Sequence, residues 1–230
     1  MPQTSLTKQT LTRMAIAICA LLAYQIAEML FMLPIRGHFS NPTVSSLILM
    51  LIGFTVLIWW LRRTYLRFTK NATPPDHHGW YWQGPDFKRL MRGLVIGLVL
   101  LAAVQVLSSI LVAHQVIQQS TNEVALDRLI SRAQLTMTVF TVVAAPLTEE
   151  LIFRGLLMNL TPLPRTKAVQ AFNIFMSAGC FAIVHGPTTL IDVFIYAGMG
   201  AALALTYAIT RDLKCSIALH ILNNLLAALI

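Results

Sequence analysis

The stretch Leu-Thr-Met-Thr-Val-Phe-Thr-Val-Val-Ala-Ala-Pro-Leu-Thr-Glu-Glu-Leu-Ile-Phe-Arg-Gly-Leu-Leu-Met, residues 135–158, is long and apolar enough to cross a bilayer, yet it carries two glutamates and an arginine. About 20 helical residues span the hydrocarbon core. Each charged side chain at its centre costs about 2.5–3.5 kcal/mol on insertion scales. Two later apolar segments carry a similar burden: Phe-Ala-Ile-Val-His ends at His185, and His-Ile-Leu-Asn-Asn runs from His220 through Asn224. Glu149, Glu150, Arg154, His185, His220 and Asn224 thus fall on three membrane segments. Groups kept there at such a cost are expected to act together.

The rest of the chain is of the same kind. It has 230 residues, 57% hydrophobic and 11% charged, against about 25% charged in soluble domains. Seven apolar runs are candidate spans, at roughly 12–33, 43–61, 93–114, 135–158, 168–186, 189–209 and 214–230. The expected fold is all-α, a polytopic membrane bundle of about seven transmembrane helices. Residues 1–130 form an N-terminal membrane region with a polar loop at 62–92, and residues 131–230 a helical core that holds nearly all the embedded polar groups. No room is left for a separate soluble domain. The first run contains Gln25 and Glu28 and lacks a convincing cleavage site, so it reads as a retained helix rather than a signal peptide.

The net charge of +8 does not indicate nucleic acid, because the basic residues sit at span ends instead of forming one patch. Thirteen lysines and arginines fall before span one, around 62–92, between spans four and five, and between spans six and seven; the opposite loops hold three, Arg36, Arg128 and Arg132. Lys/Arg excess marks the cytoplasmic side. The expected topology is therefore a cell-membrane protein with a cytoplasmic N-terminus and an extracellular C-terminus. Cys19, Cys180 and Cys215 lie in spans without metal or disulfide spacing and read as packing residues. In the 62–92 loop, the turn cluster Asn71–Asp76 precedes His77, His78, Trp80, Tyr81 and Trp82; the His-His pair could bind metal, but the favoured reading is an interfacial aromatic anchor. Gly198 and Gly200, with Ala201, Ala202 and Ala204, form a small-residue face suited to close helix packing.

On a helix, residues four apart share a face. Glu150 and Arg154 have that spacing, acid before base, and are expected to pair. Glu149 is turned by about 100° from Glu150 and cannot share the arginine in the same way. The simplest division leaves Glu149 for chemistry, although two structural carboxylates would also fit. A carboxylate in a low-dielectric pocket is a competent general base for water near neutral pH. His185 and His220 can orient that water, steady the oxyanion or protonate the leaving amine, and the Asn224 amide can donate to the oxyanion. Glu149, His185 and His220 would also suit zinc, since two histidines and a carboxylate are a catalytic ligand set. The His-Glu-x-x-His signature is absent, and the favoured reading needs no cofactor. On straight helices His185 falls near the far end of its span, away from the level of Glu149 and His220.

Glu-Glu-x-x-x-Arg, Phe-x-x-x-His and His-x-x-x-Asn, in this order on separate helices, closely resemble the CPBP intramembrane proteases. That family includes the type II CAAX prenyl endopeptidases and the bacterial Abi proteins. The resemblance covers about residues 130–230. It implies a helical membrane endopeptidase acting on membrane-associated substrates, prenylated or related to bacteriocins. It also implies that Glu149 activates water, that His185, His220 and Asn224 complete the site, and that Glu150 and Arg154 support it. Phe194–Gly198 occupies the place of a less regular third motif and receives no role.

Two other functions compete. Buried Glu/His chains also relay protons in transporters, but the short chain, the lack of a repeat and the crowding of polar groups into one half argue against that. The second is a bacteriocin self-immunity or interaction protein without essential catalysis. The charge pattern makes a direct prediction. Reporter tags in the 62–92 loop should report from the cytoplasm and tags in 115–134 from outside; labelling of both from one side would break the topology.

Overall fold

The computed structural model describes residues 3–37, 41–72, 76, 86–115, 129–162 and 166–229, and all regular structure among them is helical. His77, His78, Trp80, Tyr81, Trp82, Arg128 and most of the 115–134 loop lie outside the described residues. Six helices are long and apolar enough to span a membrane. We label α1 Gln3–Arg36, α2 Pro42–Thr69, α3 Asp86–Ala113, α4 Gln134–Asn159, α5 Lys167–Val184 and α6 Leu190–Thr210. A seventh apolar helix, α7 (Leu213–Leu229), is shorter, at 17 residues. This is a polytopic membrane bundle.

Polar residues punctuate it. Asn41-Pro42 opens α2 with proline in the first turn, where the missing N–H has no helical partner to lose. The Thr166 hydroxyl accepts from Val169 N–H to cap α5. Thr189 and Asp192 form a reciprocal capping box at the start of α6, and Asp192 also takes the Thr188 hydroxyl at 2.9 Å. Gly186, at φ +63°, stops α5 just after His185; a residue without Cβ reaches this left-handed region at no steric cost. Between α6 and α7 the whole connection is Arg211-Asp212, with Asp212 accepting from Lys214 N–H.

The outer face is lipid-like. On α1, Ile18, Leu22, Ile26, Met29 and Leu33 are exposed, while Ala17, Ala20, Tyr24, Phe31 and Ile35 are buried. One core cluster joins residues of α1, α2, α4, α6 and α7, so the N-terminal helices and the polar half share an interior. A smaller cluster ties α3 to α6 and α7 through Leu101, Ala202, Leu203 and Leu219.

Small residues set how closely α6 is approached. Gly198 and Gly200 face different neighbours instead of one: a Cβ on Gly198 would meet Val104 of α3 at 3.0 Å, and one on Gly200 would meet the Ala178 backbone of α5 at 3.0 Å. The tightest approach comes from the other side, where α3 places Gly93 and Gly97 against Thr210 and Thr206. A Cβ on Gly97 would lie 2.0 Å from Thr206 Oγ1 and 2.7 Å from Leu219.

Gly97→Leu should therefore lower stability by about 1–3 kcal/mol through overpacking. Gly53→Ala, where an added Cβ meets nothing within 4 Å, should be neutral or stabilising by up to about 1 kcal/mol. Thermal unfolding in detergent reads both; equal Tm values for the two variants would count against the α3–α6 contact.

Candidate active site

The site is built on α4, and α4 is not a regular helix. It runs as α-helix to Val139, π-helix over Phe140–Ala144, α-helix over Ala145–Glu150, π-helix over Leu151–Leu156, and a final 3₁₀ turn, Leu157–Asn159. Pro146 accounts for part of this. Ala145 N–H reaches back to the Phe140 carbonyl, five residues away. The next donor in that pattern would be residue 146, and proline has no N–H. The Thr141 carbonyl is served instead by Asn224 Nδ2 of α7, at 2.9 Å. At the other end, Ser177 Oγ donates to the Phe153 carbonyl at 3.1 Å, and Asn173 Nδ2 to that of Met158 at 2.9 Å. The Asn159 amide donates to the Gly155 carbonyl, and the Arg13 guanidinium to that of Asn159. In hydrocarbon each unmet carbonyl costs several kcal/mol, so the irregular helix depends on these side chains.

The same bonds set the register. With Asn173 opposite Met158 and Ser177 opposite Phe153, antiparallel α5 brings Phe181 level with Glu149 and Glu150. His185 follows one turn, about 5.4 Å, further along. On α7, His220 is level with the two glutamates, and Asn224 is the next turn outward. The site thus has two layers, Glu149, Glu150, Arg154 and His220 in one, His185 and Asn224 in the other.

In the first layer, Arg154 Nη1 donates to Glu150 Oε1 at 2.7 Å, both side chains fully buried. Arg154 Nη2 donates to the Gly200 carbonyl at 2.8 Å, and its guanidinium lies 4.9 Å from the Phe181 ring centroid. The same Glu150 oxygen accepts from His220 Nδ1 at 2.9 Å. Glu150 therefore does more than neutralise Arg154: it also orients His220, whose Nε2 faces Glu149 Oε2 at 3.8 Å. Glu149 is turned away from the arginine toward α1, where the Tyr24 hydroxyl donates to Oε1 at 2.9 Å.

In the second layer, His185 Nδ1 donates to the Phe181 carbonyl at 2.7 Å, which leaves the Nε2 lone pair for another donor. The ring stacks on Tyr196 of α6, with centroids 4.7 Å apart, and lies 4.2 Å from Phe181. Phe181 also meets His220 edge-on at 5.8 Å, so both histidines rest against one ring. Asn224 has one amide N–H committed to Thr141, its oxygen accepts from Asn223 at 3.2 Å, and Asn223 accepts from Gln105 of α3 at 2.9 Å.

Residues 131–226 match the family described as type II CAAX prenyl endopeptidase Rce1-like. Over these residues the chain is similar to the CPBP proteases. No curated protein and no solved structure matches the chain. The CPBP segment contains Glu149, Glu150, Arg154, His185, His220 and Asn224, but the partners from α1 and α3 lie outside it.

Sequence reading missed Tyr24, Gln105, Asn223 and Tyr196. Tyr24, beside Gln25 and one turn before Glu28, and Gln105 lie in apolar helices with no motif around them. Tyr196 lies inside the Phe194–Gly198 segment, which received no role; its neighbour Phe194 is 75% exposed. The one available signal was position, since a polar side chain on the buried stripe of a membrane helix needs a partner. Among the described residues, no group of three or more His, Cys, Asp and Glu side chains is arranged to hold a metal ion. His185 Nδ1 is engaged by a carbonyl and His220 Nδ1 by Glu150, which leaves Nε2 of each ring as the atom turned to the site.

The two glutamates should separate in a stability measurement. Glu150→Gln leaves Arg154 as an uncompensated buried charge, which costs about 3–5 kcal/mol, and weakens the hold on His220. Glu149→Gln keeps an oxygen for Tyr24 and should unfold close to wild type. Equal Tm values for the two variants would defeat this division.

Proposed function

We propose that the chain is an intramembrane endopeptidase that hydrolyses peptide bonds of membrane-associated substrates with a glutamate-activated water. The membrane protease family and the apolar helices support the general reading. The observation that carries the assignment of the base is the asymmetry of the doublet. Glu150 is consumed by Arg154 and His220, whereas Glu149 has no arginine partner and turns Oε2 toward His220.

In the proposed reaction Glu149 takes a proton from water as the water oxygen attacks the scissile carbonyl carbon. The carbonyl π electrons move to oxygen, and that oxyanion is met by the second N–H of the Asn224 amide and by Nε2–H of His220 in its doubly protonated form, with Nδ1–H on Glu150. His185 accepts the water's other hydrogen at Nε2 and orients it. The tetrahedral intermediate then collapses, the C–N bond breaks with its electrons going to nitrogen, and the proton held by Glu149 passes to the departing amine. The products are a carboxylic acid and an amine. Glu150 and Arg154 hold His220 and α4 in place. The substrates fitting this reading are prenylated CAAX-type peptides or other membrane peptides, with the basic end of the bundle facing the cytoplasm.

Purified protein in proteoliposomes should cut a farnesylated CAAX peptide or another membrane peptide, and Glu149→Gln, which keeps size and removes basicity, should abolish cleavage with insertion and expression near wild type. Activity should also survive chelator treatment. Turnover by the Glu149 variant would remove that residue from the mechanism. Stoichiometric zinc, with activity tracking its removal and return, would replace the glutamate-only route.

A further inference from the structure

We infer that Tyr24, on α1 and outside the CPBP segment, is a positioning residue that aims the Glu149 carboxylate at the water. The inference rests on the reading of Glu149 as the base.

Tyr24 belongs to the buried stripe of α1 that also holds Ala17, Ala20, Phe31 and Ile35, and is 7% exposed. Its ring packs edge-on against Phe54 of α2, with centroids 6.0 Å apart and planes at 88°. That packing fixes the ring before any polar contact is made, so the hydroxyl is presented at a set point. It donates to Glu149 Oε1 at 2.9 Å. Glutamate has three side-chain torsions, and a base must sit within hydrogen-bond reach of the proton it takes. With Oε1 tethered to α1, rotation of the carboxylate about its last bond is blocked. Oε2 is then the oxygen directed to His220 Nε2, 3.8 Å away. The arrangement divides the carboxylate into one oxygen that anchors and one that reacts.

A tyrosine that merely satisfies a buried acceptor would also make this bond. The two roles differ in what its loss does. Removal of a positioning contact leaves substrate binding intact and misplaces the base, and a misplacement of about 1 Å can cost about 100-fold.

The test is Tyr24→Phe, which deletes one oxygen and keeps the ring against Phe54. The probe is a farnesylated CAAX peptide in proteoliposomes, with wild type and Glu149→Gln in parallel. The expected result is a loss of kcat of about 10- to 100-fold with KM within about twofold and a Tm within about 2 °C of wild type. Wild-type kcat in Tyr24→Phe beside an inactive Glu149→Gln would overturn the inference and leave Glu149 as base. An activity loss that follows a fall in Tm, or that appears in KM alone, would also overturn it, by making Tyr24 structural. Turnover by Glu149→Gln, or no cleavage by wild type, would fail the underlying functional reading instead, and the inference with it.

Discussion

The Glu150–Arg154 pair is the interaction on which the other contacts of the site depend. Two charges with no exposed surface repay their desolvation only if the geometry is close and the remaining donors are met. Here Nη1 is met by Glu150 and Nη2 by a neighbouring helix, while Arg154 Nε and Glu150 Oε2 are buried without a partner among the described residues. Arg154 reaches the Gly200 carbonyl of α6 and lies over Phe181 of α5, while Glu150 holds His220 of α7. One ion pair within α4 therefore fixes the positions of three other helices. It also explains Gly200: the arginine can reach that carbonyl only if α6 comes close, and a Cβ there would meet the Ala178 backbone and Phe181.

The pair also sets the character of Glu149. Consecutive helical residues point about 100° apart, so a doublet in a bundle must face two different neighbourhoods. Glu150 faces the arginine, and its Oε1 takes both Arg154 and His220. Glu149 faces α1, where it accepts from a neutral hydroxyl and lies within the field of Glu28. One carboxylate of the doublet is thus paired with a guanidinium, and the other is held by a neutral hydroxyl.

Much of this was legible in the sequence. Span positions follow from hydropathy, and the ion pair follows from i,i+4 spacing. Helix ends were less legible: α1 begins at Gln3 and α2 continues through Arg62, Arg63 and Arg67 to Thr69, because helices extend past the apolar core into water, where hydropathy no longer sees them. The small-residue face of α6 was read as one surface, but Gly198 and Gly200, two residues apart, cannot share a side of a helix and serve α3 and α5 separately. His185 illustrates the deeper limit. Straight-helix counting puts it far from Glu149, whereas the hydrogen bonds from Asn173 and Ser177 set α5 so that the offset is a single turn. Register between helices lies in pairs of residues far apart in the chain, and one sequence does not display them.

The irregularity of α4 connects these points. Its π and 3₁₀ turns depart from the regular ladder, Pro146 removes one donor, and in a membrane no water stands in. Side chains from α1, α5 and α7 do so, through Arg13, Asn173, Ser177 and Asn224. Each of these bonds closes a gap in the helix and simultaneously fixes how a neighbouring helix is set against it. A straight α-helix at this position would satisfy itself and leave its neighbours free to slide. The distorted one cannot be stable until α1, α5 and α7 are each in register, and that register is what brings Tyr24, Phe181 and His220 to the level of Glu149.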